Sequence, residues 1–173
     1  MPVNGTVPDV HGPTARVVAM DDPATAPMIE GLRAEYTRRY GAEAAQREMS
    51  SYPLADFAAP HGAVLLLEEE GRAVAGGALR RLDAGTAEFK RIWTAEGWRR
   101  RGLGRRVMAG LEERAAALGY RRAYLTTGPA QPEAVALYTR LGYELLDDEG
   151  WGEDGERRYY AFAKPLDGPV APR

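Results

Sequence analysis

The feature that most constrains this chain is a change of rhythm near residue 100. Residues Thr86 to Thr94 read as an extended run, whereas from Leu103 the apolar positions Val107, Met108, Leu111, Ala115 and Leu118 follow a helical period that Gly119 stops. Between the two lies Trp98, Arg99, Arg100, Arg101, Gly102, Leu103, Gly104, Arg105, Arg106, a basic turn punctuated by two glycines. Residues Arg122 to Thr127 are extended again. A strand, a helix and a second strand in this order make a crossover unit, so the strand after Gly119 is expected to run parallel to the one before the basic turn.

Five arginines fall among the eight residues 99 to 106, in a chain whose formal net charge is only −2. The positive charge is therefore local. A helix start offers unpaired backbone N–H groups and the positive end of a dipole, which together favour an anion. Gly102 and Gly104 have no side chain to hold a phosphate away from the backbone, and either can take a positive φ if the turn needs it. The turn alone reads more readily as a solvated basic helix start, and its context has to decide.

Ahead of it, Ala15 to Met20 reads as a first strand, and Asp22 caps a helix with Pro23 at its first position. Met28, Leu32, Tyr36 and Tyr40 share one face of that helix, Gly41 ends it, and Ala42 to Met49 reads as a second helix. Gly62 to Glu69, Arg72 to Leu82 and Thr86 to Thr94 are three strands joined by short turns, an antiparallel meander. Behind the crossover, Pro132 opens a helix to Leu141, and Tyr143 to Leu146 and Arg158 to Lys164 are final strands around an acidic loop. The expected fold is α/β (α+β): a mixed, mostly antiparallel central sheet flanked by about four helices. Residues 15–166 form the domain, between a loose arm at 1–14 and a loose tail at 167–173.

Several chemistries drop out. With no cysteine there is no disulfide, thiolate metal site or cysteine nucleophile, and His11 and His61 lie apart, so no metal centre is expected. Residues 1–14 lack a basic start and an apolar core, and the longest apolar run, Ala63 to Leu67, is far below the ~20 residues that span a bilayer. The expectation is a cytoplasmic protein that engages neither membrane nor nucleic acid, the latter because the overall charge is mildly acidic.

In context, the turn and its neighbours resemble the GNAT superfamily of N-acetyltransferases. That family's acetyl-CoA signature is Gln or Arg, two residues, Gly, one residue, then Gly or Ala, between the fourth strand and the third helix; here it reads Arg99, Arg100, Arg101, Gly102, Leu103, Gly104. A second block, Gln131 to Tyr143 with Ala134, Leu137, Tyr138, Leu141 and Gly142, is similar to the family's late helix, with Gln131 in place of the usual Asn. A dinucleotide-binding glycine motif is the competing pattern, but Val107 stands where its third glycine belongs, and a Walker loop is excluded because no Gly-Lys-Ser/Thr occurs.

The resemblance implies acetyl-CoA as cosubstrate. Ile92, Trp93 and Thr94 would lend backbone to the pantetheine arm, residues 99 to 105 (Arg99, Arg100, Arg101, Gly102, Leu103, Gly104, Arg105) would hold the pyrophosphate, and Gln131 would reach the pantetheine. It also implies two catalytic groups. Glu88 has the spacing of the family's general base, needed because an alkyl ammonium of pKa ~10.4 is almost wholly protonated at neutral pH. Tyr138 matches the tyrosine that faces the departing thiolate. Each also has a plainer reading, Glu88 as the partner of an arginine and Tyr138 as core. Lacking cysteine, the chain favours direct transfer to a primary amine in a ternary complex. Six acids between Asp147 and Glu156 suggest steering of a cationic amine, although a solvated turn has the same composition. A homodimer stays open, as does a non-catalytic module of this fold that senses acetyl-CoA or CoA.

Overall fold

The computed structural model describes residues 12–167. In chain order these are β1 (Thr14–Val18), a 3-10 turn (Pro23–Thr25), α1 (Ala26–Tyr40), α2 (Ala42–Ser50), a second 3-10 turn (Leu54–Phe57), β2 (Ala63–Glu69), β3 (Arg72–Asp83) and β4 (Thr86–Thr94). A third 3-10 turn (Glu96–Trp98), α3 (Leu103–Ala117), β5 (Arg122–Thr127), α4 (Pro132–Arg140), β6 (Glu144–Leu145) and β7 (Tyr160–Pro165) follow. The strands make one sheet in the order β1-β2-β3-β4-β5-β7-β6. Every pairing is antiparallel except β4 with β5, the pair that α3 connects, as the change of rhythm requires.

The sheet separates two apolar layers. On one face α3 buries Val107, Met108 and Leu111 against Leu65, Leu79 and Phe89, and Tyr138, Tyr143 and Phe162 extend this layer. On the other, Met28 and Leu32 of α1 pack with Val64, Leu66, Ala78 and Trp93. The four-residue spacing from Met28 to Tyr36 is thus the sheet-facing stripe of α1. Asp22 caps as expected, accepting from the Ala24 N–H at 2.8 Å, but it caps the 3-10 turn at Pro23, and the α-helix begins only at Ala26. Leu54–Phe57 carried no sequence signal, yet Phe57 is fully buried.

The arm expected over residues 1–14 lies outside the described residues except at its end, where Pro13 is buried and its carbonyl accepts from Arg106 Nη2 at 2.7 Å. Residues 168–173 of the expected tail, and His11, also lie outside them. Among the described residues no helix is long and apolar enough to cross a membrane.

α1 can approach the sheet because Gly31 has no side chain: a Cβ there would stand 2.8 Å from Trp93 Cε2. Gly31→Ala is expected to push α1 off Trp93 and to lower stability by about 1–3 kcal/mol. Denaturant titration of the variant checks this, and an unchanged midpoint would show that the contact is slack.

Candidate active site

β4 and β5 are paired over only Thr86–Glu88 and Arg122–Tyr124, after which they part. The cause is visible on β4. Its register against β3 runs from Lys90 opposite Ala78 to Trp93 opposite Gly76, so three steps on β4 match two on β3, and Arg91 sits at φ +58°. This is a β-bulge, which bends and twists the strand that carries it. The strands diverge into a cavity of about 960 Å³. Its walls are β4, the start of α3, the β5–α4 segment, α1 and α2.

At one end the basic turn delivers the start of α3. Gly102 takes the left-handed conformation (φ +75°), no side chain caps the helix, and the first intrahelical N–H belongs to Arg106, bonded to the Gly102 carbonyl at 3.2 Å. The amides from Gly102 to Arg105 precede that bond and are free of helical acceptors, an anion-binding arrangement. Arg99, Arg100, Leu103, Gly104 and Arg105 line the cavity with Gly102. Arg101 does not; its guanidinium stacks on Trp98 at 4.6 Å, a distinction from its neighbours that no sequence pattern marked. Gly104 also serves packing, since a Cβ there would come to 3.2 Å from Leu137 Cδ2 on α4.

Ile92, Trp93 and Thr94 line the cavity, as do Gln131 and Tyr138. Gln131 Oε1 accepts from Thr127 Oγ1 at 2.5 Å, so the amide that replaces the usual Asn is tied to the end of β5. The end of α1 holds this segment: Arg39 donates to the Ala130 carbonyl and the Glu133 carboxylate, and Tyr40 packs its buried hydroxyl against Gly128. No local sequence signal pointed to that clamp.

Tyr138 is buried between Phe162 and Tyr143, with ring centroids 5.7 and 6.0 Å away, and still lines the cavity. Burial pushes its hydroxyl pKa up, so it stays protonated throughout the neutral range. Burial first, with nearby carboxylates, pushes Tyr36 and Tyr143 up as well. Because the folded values exceed the ~10 of an unfolded tyrosine, the stability they contribute is fully present below pH ~10 and is lost as pH rises through the folded values. Denaturant midpoints are therefore expected to hold between pH 7 and 9 and to fall above pH ~10, less steeply in Tyr138→Phe.

Glu88 stands at the point where β4 and β5 part. It is 6% exposed, accepts from Arg80 Nη1 at 3.0 Å, and is not among the residues that line the cavity. Arg80 also binds Asp56, with Nε 3.1 Å from its carboxylate. Two residues on, Lys90 does line the cavity, its Nζ 3.3 Å from both Glu48 Oε1 and the Tyr52 hydroxyl. Burial alone would pull the Lys90 pKa down, but Glu48 and Glu88 outweigh it and the net shift is upward.

The acidic loop does not turn its acids into the cavity. Asp147 pairs with Arg157 at 3.4 Å, Asp154 and Glu156 pair with Arg158, and Glu149 accepts from the Tyr124 hydroxyl at 2.7 Å. The loop's contributions to the cavity are Arg158 and Tyr159.

A mostly antiparallel sheet that splays at one parallel pair, beside an uncapped basic helix start, defines a class of acyl-transfer folds. The profile of the Acetyltransferase (GNAT) family matches residues 27–143, and the chain belongs to that family. It is 30% identical over 138 residues to the uncharacterized N-acetyltransferase YjgM of Escherichia coli, covering 76% of this chain and 81% of that protein. Among solved structures, a GNAT acetyltransferase from Elizabethkingia anophelis with acetyl-CoA bound superposes with a TM-score of 0.63 at 16% identity, over 90% of this chain and 99% of that one. The PaiA N-acetyltransferase of Thermoplasma acidophilum, in complex with coenzyme A, gives 0.70 at 13% identity, over 88% and 99%. At these identities the likeness is one of fold.

Proposed function

We propose that this protein is an acetyl-CoA-dependent N-acetyltransferase that moves the acetyl group directly to a primary amine. The observation that carries the reading is the uncapped start of α3, with Gly102 at φ +75° and Arg99, Arg100 and Arg105 around it, opening into the gap between β4 and β5. The residues present fit the donor: the amides of 102–105 suit a pyrophosphate, and the parted edge of Ile92–Thr94 suits a pantetheine arm with amides of its own. Two structural relatives that were solved with acetyl-CoA or CoA support the same assignment.

In the reaction the amine lone pair attacks the thioester carbonyl carbon, the carbon–sulfur bond breaks, and the amine gives up a proton. Tyr138, protonated and facing the cavity from α4, supplies a proton to the leaving sulfur. Glu88 is the proton acceptor in this scheme only through an intervening water, since its carboxylate is bound by Arg80 and lies behind the cavity wall. Amine-dependent release of the CoA thiol, measured over an amine panel with the acetylated product identified by mass, tests the reading. Tight CoA binding without release from any amine would favour the sensing module instead.

A further inference from the structure

We infer that the acceptor is an α-amino acid, a zwitterion whose carboxylate is taken by Lys90 and whose ammonium is taken by Glu48. The inference rests on the acetyltransferase reading and deepens it.

The bulge on β4 has a second effect. Successive residues of a regular strand point to opposite faces, yet Lys90 and Arg91 both reach α2: Lys90 Nζ lies 3.3 Å from Glu48 Oε1, and Arg91 Nη2 donates to the Met49 carbonyl at 3.0 Å. Arg91 is thus buried and Lys90 half-buried beside α2, where Glu48 is, among the described residues, the carboxylate within pairing distance of Lys90. Arg91 is 8% exposed and sits over the Phe57 ring, with carbonyl and sulfur partners rather than a carboxylate; burial pulls its pKa down.

Further back, Arg80 is answered by both Asp56 and Glu88. With Arg80 satisfied behind the cavity wall, Lys90 and Glu48 are a cation and an anion side by side that both line the cavity. Such a pair of opposite charges is poor at holding a polyamine, whose second ammonium would meet Lys90, and well matched to a ligand with both charges one carbon apart. Lys90 has three donors, two of them directed at Glu48 and the Tyr52 hydroxyl, which leaves one for a carboxylate oxygen. Glu48 is the more exposed partner, its side chain 41% accessible, and can turn an oxygen to an ammonium.

The test compares pairs of acceptors, each an α-amino acid and the amine that lacks only its carboxylate, by kcat/KM for thiol release from acetyl-CoA. The wild type is expected to prefer the amino acid by about tenfold or more, the effect of one charge-assisted hydrogen bond in a partly dry site. Lys90→Met should bring the ratio to about 1 and Lys90→Arg should keep it, which a merely structural lysine would not do. Release with no preference for the carboxylate, or a preference untouched in Lys90→Met, overturns the assignment and leaves the acetyltransferase reading standing. Release from no amine, with CoA still bound, overturns both.

Discussion

Gly102→Glu is expected to abolish measurable coenzyme A binding, with a loss of ~100-fold or more in affinity by calorimetry. Two causes act together. Gly102 is held at φ +75°, where any other L-residue pays about 1–2 kcal/mol of backbone strain, and the new carboxylate would stand among the amides proposed to receive the phosphates. The space around Gly102 is open, with no atom within 4 Å of an added Cβ, so the fold should survive with a small loss of stability. Arg101→Ala, which removes a guanidinium stacked on Trp98 at 4.6 Å, should change CoA affinity by no more than ~3-fold. Equal losses in both variants would mean that bulk positive charge, rather than the helix start, holds the donor.

Tyr138→Phe should lower kcat by roughly 10²-fold while CoA affinity stays within a few-fold. The ring packs against Phe162 and Tyr143 at 5.7 and 6.0 Å, contacts that phenylalanine keeps. Only the hydroxyl is lost, and burial holds that hydroxyl protonated. On the proposed role of Tyr138 as proton donor, its loss leaves the thiolate to depart unprotonated, and slow substrates with poor nucleophilic amines should suffer most. An unchanged kcat would return Tyr138 to a purely packing role.

The sequence was most legible where function depends on local order. The basic turn from Arg99 to Arg106, the strand before it and the helix after it could be read from period and glycine placement, because a helix start and its glycines are near neighbours in the chain. The parallel pairing of β4 with β5 followed from the crossover length. What escaped was non-local or conformational. The bulge at Arg91 places a non-glycine residue at φ +58°, for which an arginine gives no warning. An arginine partner for Glu88 was one of the two readings, but that the partner is Arg80 depends on β3 and β4 register, and Arg80 in turn on Asp56 from a 3-10 turn that no pattern marked. The six acids after Leu146 suggested a cationic acceptor by composition alone; folded, four of them, Asp147, Glu149, Asp154 and Glu156, are taken up by Arg157, Arg158 and Tyr124, and the loop shows the cavity an arginine and a tyrosine instead.

The central claim is that the donor's phosphates sit on the backbone at the start of α3 while its arm lies along the parted edge of β4. Amide hydrogen exchange with and without coenzyme A measures this directly. Strong protection is expected at Gly102 to Arg105 and along Ile92 to Thr94, with little change in the loop from Asp147 to Glu156. Protection confined to other segments, or none at saturating coenzyme A, would contradict the account.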